Sequence, residues 1–120
     1  MKTSELTGAL LDYWVARAEG HAAENLSMPL LKSGEVGCVA HVQDDWFGEC
    51  IQRLPYSTDW ALCGPLIEKY GVGSDKREQG WLAVLDADYM GCFGTTPQQA
   101  ICRAVVRAAF GDEVDEVPDA

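Results

Sequence analysis

The chain has few basic residues, with nine Lys and Arg against nineteen Asp and Glu, and its 120 residues carry a net charge of −10. Five acidic residues follow Gly111, so the first 111 residues hold nine basic and fourteen acidic side chains. Because a polyanion repels phosphate backbones, this composition argues against direct nucleic-acid binding. An acidic decoy that mimics DNA stays an alternative, although a mimic needs carboxylates in phosphate-like rows and a large share here lies at the end of the chain.

Long hydrophobic runs are also missing. No stretch of eighteen apolar residues occurs, so we expect no membrane-spanning helix and no membrane partner. The segment Met1–Glu5 lacks the charged-then-apolar pattern of a signal peptide. These absences predict a cytoplasmic protein. At 120 residues, 48% of them apolar, the chain is expected to form one domain over residues 1–111, followed by an acidic, flexible tail over 112–120.

Metal-binding and redox motifs are sparse. No Cys-x-x-Cys occurs, and Cys38-x-x-His41 is the nearest approach to a ligand pair, with Cys50 or His21 as conceivable third ligands. Structural zinc takes four ligands, usually in two pairs, and positions 38 and 41 face opposite sides of a predicted strand. We therefore expect no metal and no cofactor. The cysteines are expected to be small buried residues in a reducing compartment, and they are Cys38, Cys50, Cys63, Cys92 and Cys102.

The phosphate-binding glycine motifs of nucleotide-binding proteins do not occur. Gly71-x-Gly73 follows a predicted helix rather than a strand and so lacks the required context. A cysteine nucleophile needs a neighbouring base, and two histidines among five cysteines give only a weak signal for one. The sequence assigns no catalytic residue, and we expect a binding protein rather than an enzyme.

The clearest positive signal is a turn followed by a helix near the middle of the chain. Pro55 ends an extended segment, and Ser57 is predicted to cap the helix, with Thr58 as the competing cap. Asp59 in the first turn places a negative charge beside the positive end of the helix dipole, which stabilises the helix. Pro65 predicts either a kink in this helix or a break into two helices.

This helix start is the candidate ligand site, because a helix N-terminus can hold an anion. Its residues are Ser57, Thr58, Asp59 and Trp60. Acid–base chemistry by Asp59 and Glu68, with Asp12 on the first helix, would need burial to drive their pKa values apart. The simpler interpretation is that the segment is scaffolding, with its backbone satisfied by its own cap.

Periodicity predicts the rest of an α+β fold, with three helices packed on a small, mainly antiparallel sheet. The first helix is expected over about residues 4–19, capped by Ser4 and stopped by Gly20. Surface loops are expected at 21–34 and 71–80. Two hairpins are expected, and they pair 36–42 with 46–54 through Asp44-Asp45, and 81–85 with 89–93 through Asp86-Ala87-Asp88. The apolar run 81–85 predicts a central strand.

The last helix has the strongest start signal. Thr96 is the predicted cap, Pro97 occupies the first helical position, and Gln99 completes a capping box. Arg103 and Arg107, four residues apart, are assigned to its solvent side, and the helix is expected to end at Gly111.

Four segments of the chain carry a resemblance to a known family. They are Tyr56–Ala61 with Gly64–Glu68, Leu6–Gly20, Gly94–Pro97 before the alanine-rich last helix, and the acidic stretch Gly111–Pro118. Taken in the order of the chain, these segments resemble the NinX-like proteins, small proteins of unknown function encoded by tailed phages and prophages. The Ser-Thr-Asp and Thr-Pro helix starts also look like those of the related phage ABA sandwich domains, which implies helices flanking a small sheet.

The resemblance implies a phage or prophage accessory protein in the cytoplasm of a bacterial host. Because the family has no established activity, it transfers no catalytic residue. We expect a non-catalytic module that binds a host or phage protein, with segments 21–35 and 71–80 as contact candidates and self-association left open. The alternative is a small enzyme or ligand-binding protein with its site at the Ser57/Asp59 helix start.

Overall fold

The computed structural model describes residues 1–46, 48–85 and 88–116, and within them the chain forms three α-helices and two three-stranded antiparallel sheets. This confirms the α+β class, with the strands divided between two sheets rather than gathered in one. The sheets have the orders β1-β2-β3 and β4-β5-β6. The elements are α1 (Gly8–Ala18), β1 (Leu26–Ser27), β2 (Val39–Asp44), β3 (Gly48–Arg53), α2 (Trp60–Tyr70), β4 (Val72–Arg77), β5 (Gly80–Leu85), β6 (Asp88–Gly94) and α3 (Pro97–Phe110).

The helix α3 lies at the centre of the core. It packs against α1, α2 and all three strands of the second sheet, and it buries one side through Ala100, Ile101 and Val105. The predicted cap is confirmed, because the Thr96 hydroxyl accepts a hydrogen bond from the Gln99 N–H at 3.1 Å. The Gln99 side chain reaches one residue further back than a capping box requires and accepts from the Thr95 N–H at 2.8 Å.

The first helix begins later than the sequence predicts. Residues Thr3–Glu5 form a separate 3₁₀ turn, and α1 starts at Gly8, so the prediction of Ser4 as its cap is wrong. A tertiary contact holds this turn outside α1, since the N–H of Thr3 donates to the carbonyl of Asp112 at 2.8 Å.

The end of α1 agrees with the prediction. Gly20 has φ of +102° and follows the helix, and its N–H donates to the carbonyl of Arg17 at 3.2 Å. The N–H of His21 donates to the carbonyl of Ala16 at 3.0 Å. These two bonds close the Schellman motif that glycine permits after a helix.

The cap of α2 differs from the prediction by two residues. Asp59 is the cap, and its carboxylate accepts from the Ala61 N–H at 2.8 Å, so the assignment of this role to Ser57 is wrong. Pro65 lies inside α2, and a single helix continues through it rather than breaking into two. Because proline has no N–H, the carbonyl of Ala61 lacks its usual helical partner.

Of the two predicted loops, the segment 71–80 is largely a strand. β4 pairs with β5 in register from Val72 opposite Leu85 to Arg77 opposite Gly80. Only the first residue of β4 is buried, so this edge strand shows no alternation of apolar and polar residues. The segment 21–34 contains a 3₁₀ turn and the two-residue strand β1.

Both predicted hairpins form, and β5 is the central strand of its sheet as expected. The turn residues Asp86 and Ala87 lie outside the described residues. At the base of the first hairpin Cys38, Val39 and Ala40 are buried, whereas most described side chains from 41 to 53 are exposed. We call residues 41–53 the arm.

The two ends of the described chain meet. The N–H of Val114 donates to the carbonyl of Met1 at 2.9 Å, and the amino group of Met1 donates to the carbonyl of Val114 at 3.1 Å. Lys2 forms an antiparallel bridge with Glu113. The predicted tail over 112–120 therefore begins in a segment paired with the N-terminus. None of the described helices has the length and apolar character needed to cross a membrane.

Candidate functional site

The loop before α2 forms one wall of a cavity of about 120 Å³ beside α1. Two of the predicted site residues, Ser57 and Thr58, line this cavity. Opposite them lie Asp12 of α1, Cys38 before β2, and Arg53 at the end of β3. The fold thus joins three distant segments at the predicted helix start.

Asp12 and Ser57 form the centre of this site. The backbone N–H of Ser57 donates to the Asp12 carboxylate at 2.7 Å, and the Ser57 hydroxyl also hydrogen-bonds that carboxylate. Asp12 is only 6% exposed and Ser57 only 7%. A hydrogen bond between residues 45 positions apart fixes the loop before α2 onto α1.

Burial changes the acid–base properties of the cavity. It raises the pKa of Asp12 from 3.8 to about 6, although the two hydrogen bonds from Ser57 oppose this shift. Burial, together with the charge of Asp12, raises the pKa of the Cys38 thiol to about 12. At neutral pH Cys38 therefore stays a thiol, which is the poorly nucleophilic form.

The other two predicted site residues take different roles. Asp59 caps α2 with one of its carboxylate oxygens, and Trp60 is half-exposed at the first position of that helix. Neither is among the described residues that line the cavity. Glu68 is exposed on α2. The carboxylate that burial singles out is therefore Asp12, and its partner is Ser57 rather than Asp59.

The size of the cavity limits its chemistry. A volume of 120 Å³ compares with about 30 Å³ for each water molecule in the liquid, and with about 300–1,000 Å³ for a pocket that takes a small molecule. The site as folded has room for a few waters beside a carboxyl group. It can hold or release a proton and can anchor a loop, but it is too small to enclose a substrate.

The two residues of the metal-like pair, Cys38 and His41, lie in different surroundings. Cys38 is buried, whereas the two ring nitrogens of His41 lie 3.2 Å from the Ser27 hydroxyl and 2.9 Å from the Glu49 carboxylate. In residues 1–46, 48–85 and 88–116 no group of three or more His, Cys, Asp or Glu side chains could hold a metal ion.

Sequence reasoning did not place Cys38 or Arg53 at this site. It grouped Asp12 with Asp59 and Glu68, whereas the structure places Asp12 against Ser57. The burial of Asp12 could be predicted from its position on α1. It lies three and four residues before Val15 and Ala16, which are fully buried, so it shares their face of the helix. No comparable pattern marks Cys38 or Arg53, because their approach to Asp12 depends on how the first sheet packs.

The comparison with known proteins gives the chain its family. No curated protein matches the chain. A family model, described as "Bacteriophage P22, NinX", matches residues 2–108. The matched span contains all three helices nearly to the end of α3, both sheets, and the Asp12–Ser57 pair. The resemblance to the NinX-like proteins is thereby confirmed, and the chain belongs to the NinX family of phage proteins.

Proposed function

We propose that this NinX-family chain is a non-catalytic accessory protein of a phage or prophage, which acts in the host cytoplasm by binding a host or phage protein. Two features support the proposal. The Asp12–Ser57 cavity is too small to enclose a substrate, and the buried cysteine that lines it is protonated at neutral pH. Large apolar side chains are also exposed on the arm.

The exposed side chains of the arm are the observation that carries the proposal. Trp46 is 90% exposed at the end of the hairpin, and Ile51 on β3 is 65% exposed. Val42 on β2 is also exposed. Tryptophan is enriched among the residues that dominate binding energy in protein interfaces, because its large ring buries much apolar area at a small entropic cost.

Apart from the arm, two further apolar side chains are exposed, one in the predicted contact segment 21–35 and one just beyond it. Leu30, which is 72% exposed, forms an antiparallel bridge with Val36, which is half-exposed. The other predicted segment, 71–80, contains the edge strand β4, in which Arg77 pairs with Asp75 at 3.2 Å. Charged side chains on an edge strand oppose pairing with another strand. We therefore place the partner on the arm and Leu30 rather than along β4.

The test is affinity capture from infected host lysate with the wild type and with the double variant Trp46→Ser, Ile51→Ser. The matched control is Trp60→Ser, which removes an exposed tryptophan outside the arm. We expect the double variant to lose a partner that the wild type and the control both recover. Binding of the purified partner is then expected to weaken by about a hundredfold, since two interface anchors are worth about 2–3 kcal/mol. Equal recovery by all three proteins would refute the arm as the binding surface.

A ligand-binding or catalytic role at Ser57 is the second candidate, and the raised pKa of Asp12 favours it. A carboxyl group that titrates near pH 6 can exchange a proton close to neutrality. Such a role needs the cavity to open beyond 120 Å³ when a ligand enters. It predicts that Asp12→Asn removes ligand binding while the capture of a protein partner through the arm is retained.

A further inference from the structure

A second cleft lies away from the Asp12–Ser57 cavity, between α3, the edge strand β6 and the first residues. Its volume of about 470 Å³ is in the range of pockets that take small molecules. Three cationic side chains and one half-exposed aromatic ring line it together with two acids. These residues are Lys2, Arg103, Arg107, Phe93, Asp112 and Glu113.

Arg103 and Arg107 are held against the edge strand. Arg103 donates from Nε to the carbonyl of Leu6 at 2.9 Å and from Nη1 to the carbonyl of Phe93 at 2.7 Å. Arg107 donates from Nη1 to the carbonyl of Gly91 at 2.9 Å. The assignment of both arginines to the solvent side of α3 is therefore wrong, because both are half-buried and cover the edge of β6.

The cleft is rich in hydrogen-bond donors. In an antiparallel sheet a residue directs its N–H and its C=O to the same side. Since the carbonyl of Phe93 faces Arg103, the N–H of Phe93 faces the cleft as well. The second terminal nitrogen of Arg103, Nη2, forms no hydrogen bond with the described residues. These groups can donate to an oxyanion and offer nothing to a cation.

The charge of the cleft contrasts with that of the chain. Lys2, Arg103 and Arg107 are three of only nine basic residues in the chain. With Asp112 and Glu113, the lining carries a net charge of about +1, whereas the whole chain carries a net charge of −10. The cleft already binds one carboxylate from its own chain, because Arg107 Nε lies 2.9 Å from Asp112 Oδ1. A net charge of +1 suits a monoanion better than a phosphate dianion.

We propose that this cleft binds a small monocarboxylate with an apolar body. Arg103 and Lys2 hold the carboxylate, the N–H of Phe93 adds a donor, and the Phe93 ring packs against the apolar part. Arg103 Nη2 gives this pair a charged donor, and the two bonds from Nε and Nη1 to backbone carbonyls fix the position of the guanidinium. The site does not depend on the proposed protein partner, and its failure would leave the arm untouched.

The test is an NMR titration of the full chain with 3-phenylpropionate, with 3-phenylpropionamide as the uncharged control and inorganic phosphate as the competing anion. We expect saturable shifts of the amide signals at 91–93 and 103–107, with the carboxylate binding at least about tenfold more tightly than the amide or phosphate. Arg103→Gln is expected to lower the affinity by about tenfold, with its fold checked by circular dichroism.

Lys2→Gln is the second variant, because its side chain is exposed and its bridge to Glu113 is made by the backbone. It is expected to lower the affinity by about threefold and to retain the fold. Equal binding of acid and amide, tighter binding of phosphate, or no saturable shift at tens of millimolar would each overturn the proposal, as would full affinity in a folded Lys2→Gln variant.

Discussion

Asp12 is a carboxyl group in an apolar position, and its surroundings explain how the fold tolerates it. An ionised carboxylate without partners would be strongly unfavourable at this depth. The backbone N–H and the hydroxyl of Ser57 satisfy part of its hydrogen-bonding capacity, yet burial still raises its pKa to about 6. Asp12 therefore joins α1 to the loop before α2, and its contribution to the free energy of unfolding depends on pH.

The first prediction concerns that cost. The pKa of Asp12 is about 6 in the folded chain and near 3.8 in the unfolded one, so between these values the folded state binds more protons. The contribution of Asp12 to stability is thus fully present below pH 3.8 and is lost as the pH rises through 6. This loss amounts to about 2 kcal/mol between pH 4.5 and 7.

Asp12→Asn lacks this titration. We therefore expect the difference in unfolding free energy, variant minus wild type, to increase by about 2 kcal/mol from pH 4.5 to pH 7. Urea denaturation of both proteins at the two pH values measures it, and the subtraction removes the effect of the other carboxylates. A difference that stays constant or decreases with pH would show that the folded chain does not raise the pKa of Asp12.

Among the helices and strands, the sequence predicts correctly those features that depend on neighbouring residues. The start of α3 at Thr96 and the two hairpins depend on residues close in sequence, and they form as expected. The late start of α1 depends on the contact of Thr3 with Asp112, more than a hundred residues away. The segment 71–80 has the polar composition of a loop, because β4 is an edge strand in which every residue after Val72 is exposed.

The start of α2 gives the second prediction. Asp59 caps the helix through the Ala61 N–H, whereas the Thr58 hydroxyl reaches only the carbonyl of Pro55 at 3.5 Å. Asp59→Ala is expected to lower the free energy of unfolding by about 1 kcal/mol, the usual loss for a removed cap. Thr58→Ala, the neighbouring control, is expected to change it by less than about 0.5 kcal/mol.

Chemical denaturation at pH 7 measures both variants. If Thr58→Ala were the more costly substitution, the helix would start one residue earlier, at the competing cap that the sequence allows. The comparison also bears on the proposed function, because a cap that only stabilises α2 is scaffolding, and its loss should leave partner capture through the arm unchanged.

At the scale of the whole molecule, the candidate binding features lie on different parts of the fold. The arm belongs to the hairpin of β2 and β3 in the first sheet, while the cationic cleft is built on β6 of the second sheet and on α3. Sequence reasoning found Ser57 and Thr58 through local helix chemistry. It could not find the cleft, because residues 2–4 and 91–113 meet there only after the two ends of the chain pair.

That pairing yields the last prediction, which tests where the domain ends. The sequence predicts a domain over residues 1–111, so substitutions beyond Gly111 should have little effect. In the structure Val114 is 7% exposed, belongs to the hydrophobic core and pairs with Met1. Val114→Asp removes a buried apolar side chain and introduces a charge, so it is expected to lower the free energy of unfolding by about 2–4 kcal/mol. Asp115→Asn changes the exposed neighbour and is expected to stay within about 0.5 kcal/mol of the wild type. Thermal and urea unfolding of the two variants decide between these boundaries, because equal stabilities would place the end of the domain at Gly111, and a selective loss in Val114→Asp would extend it to include the paired strand.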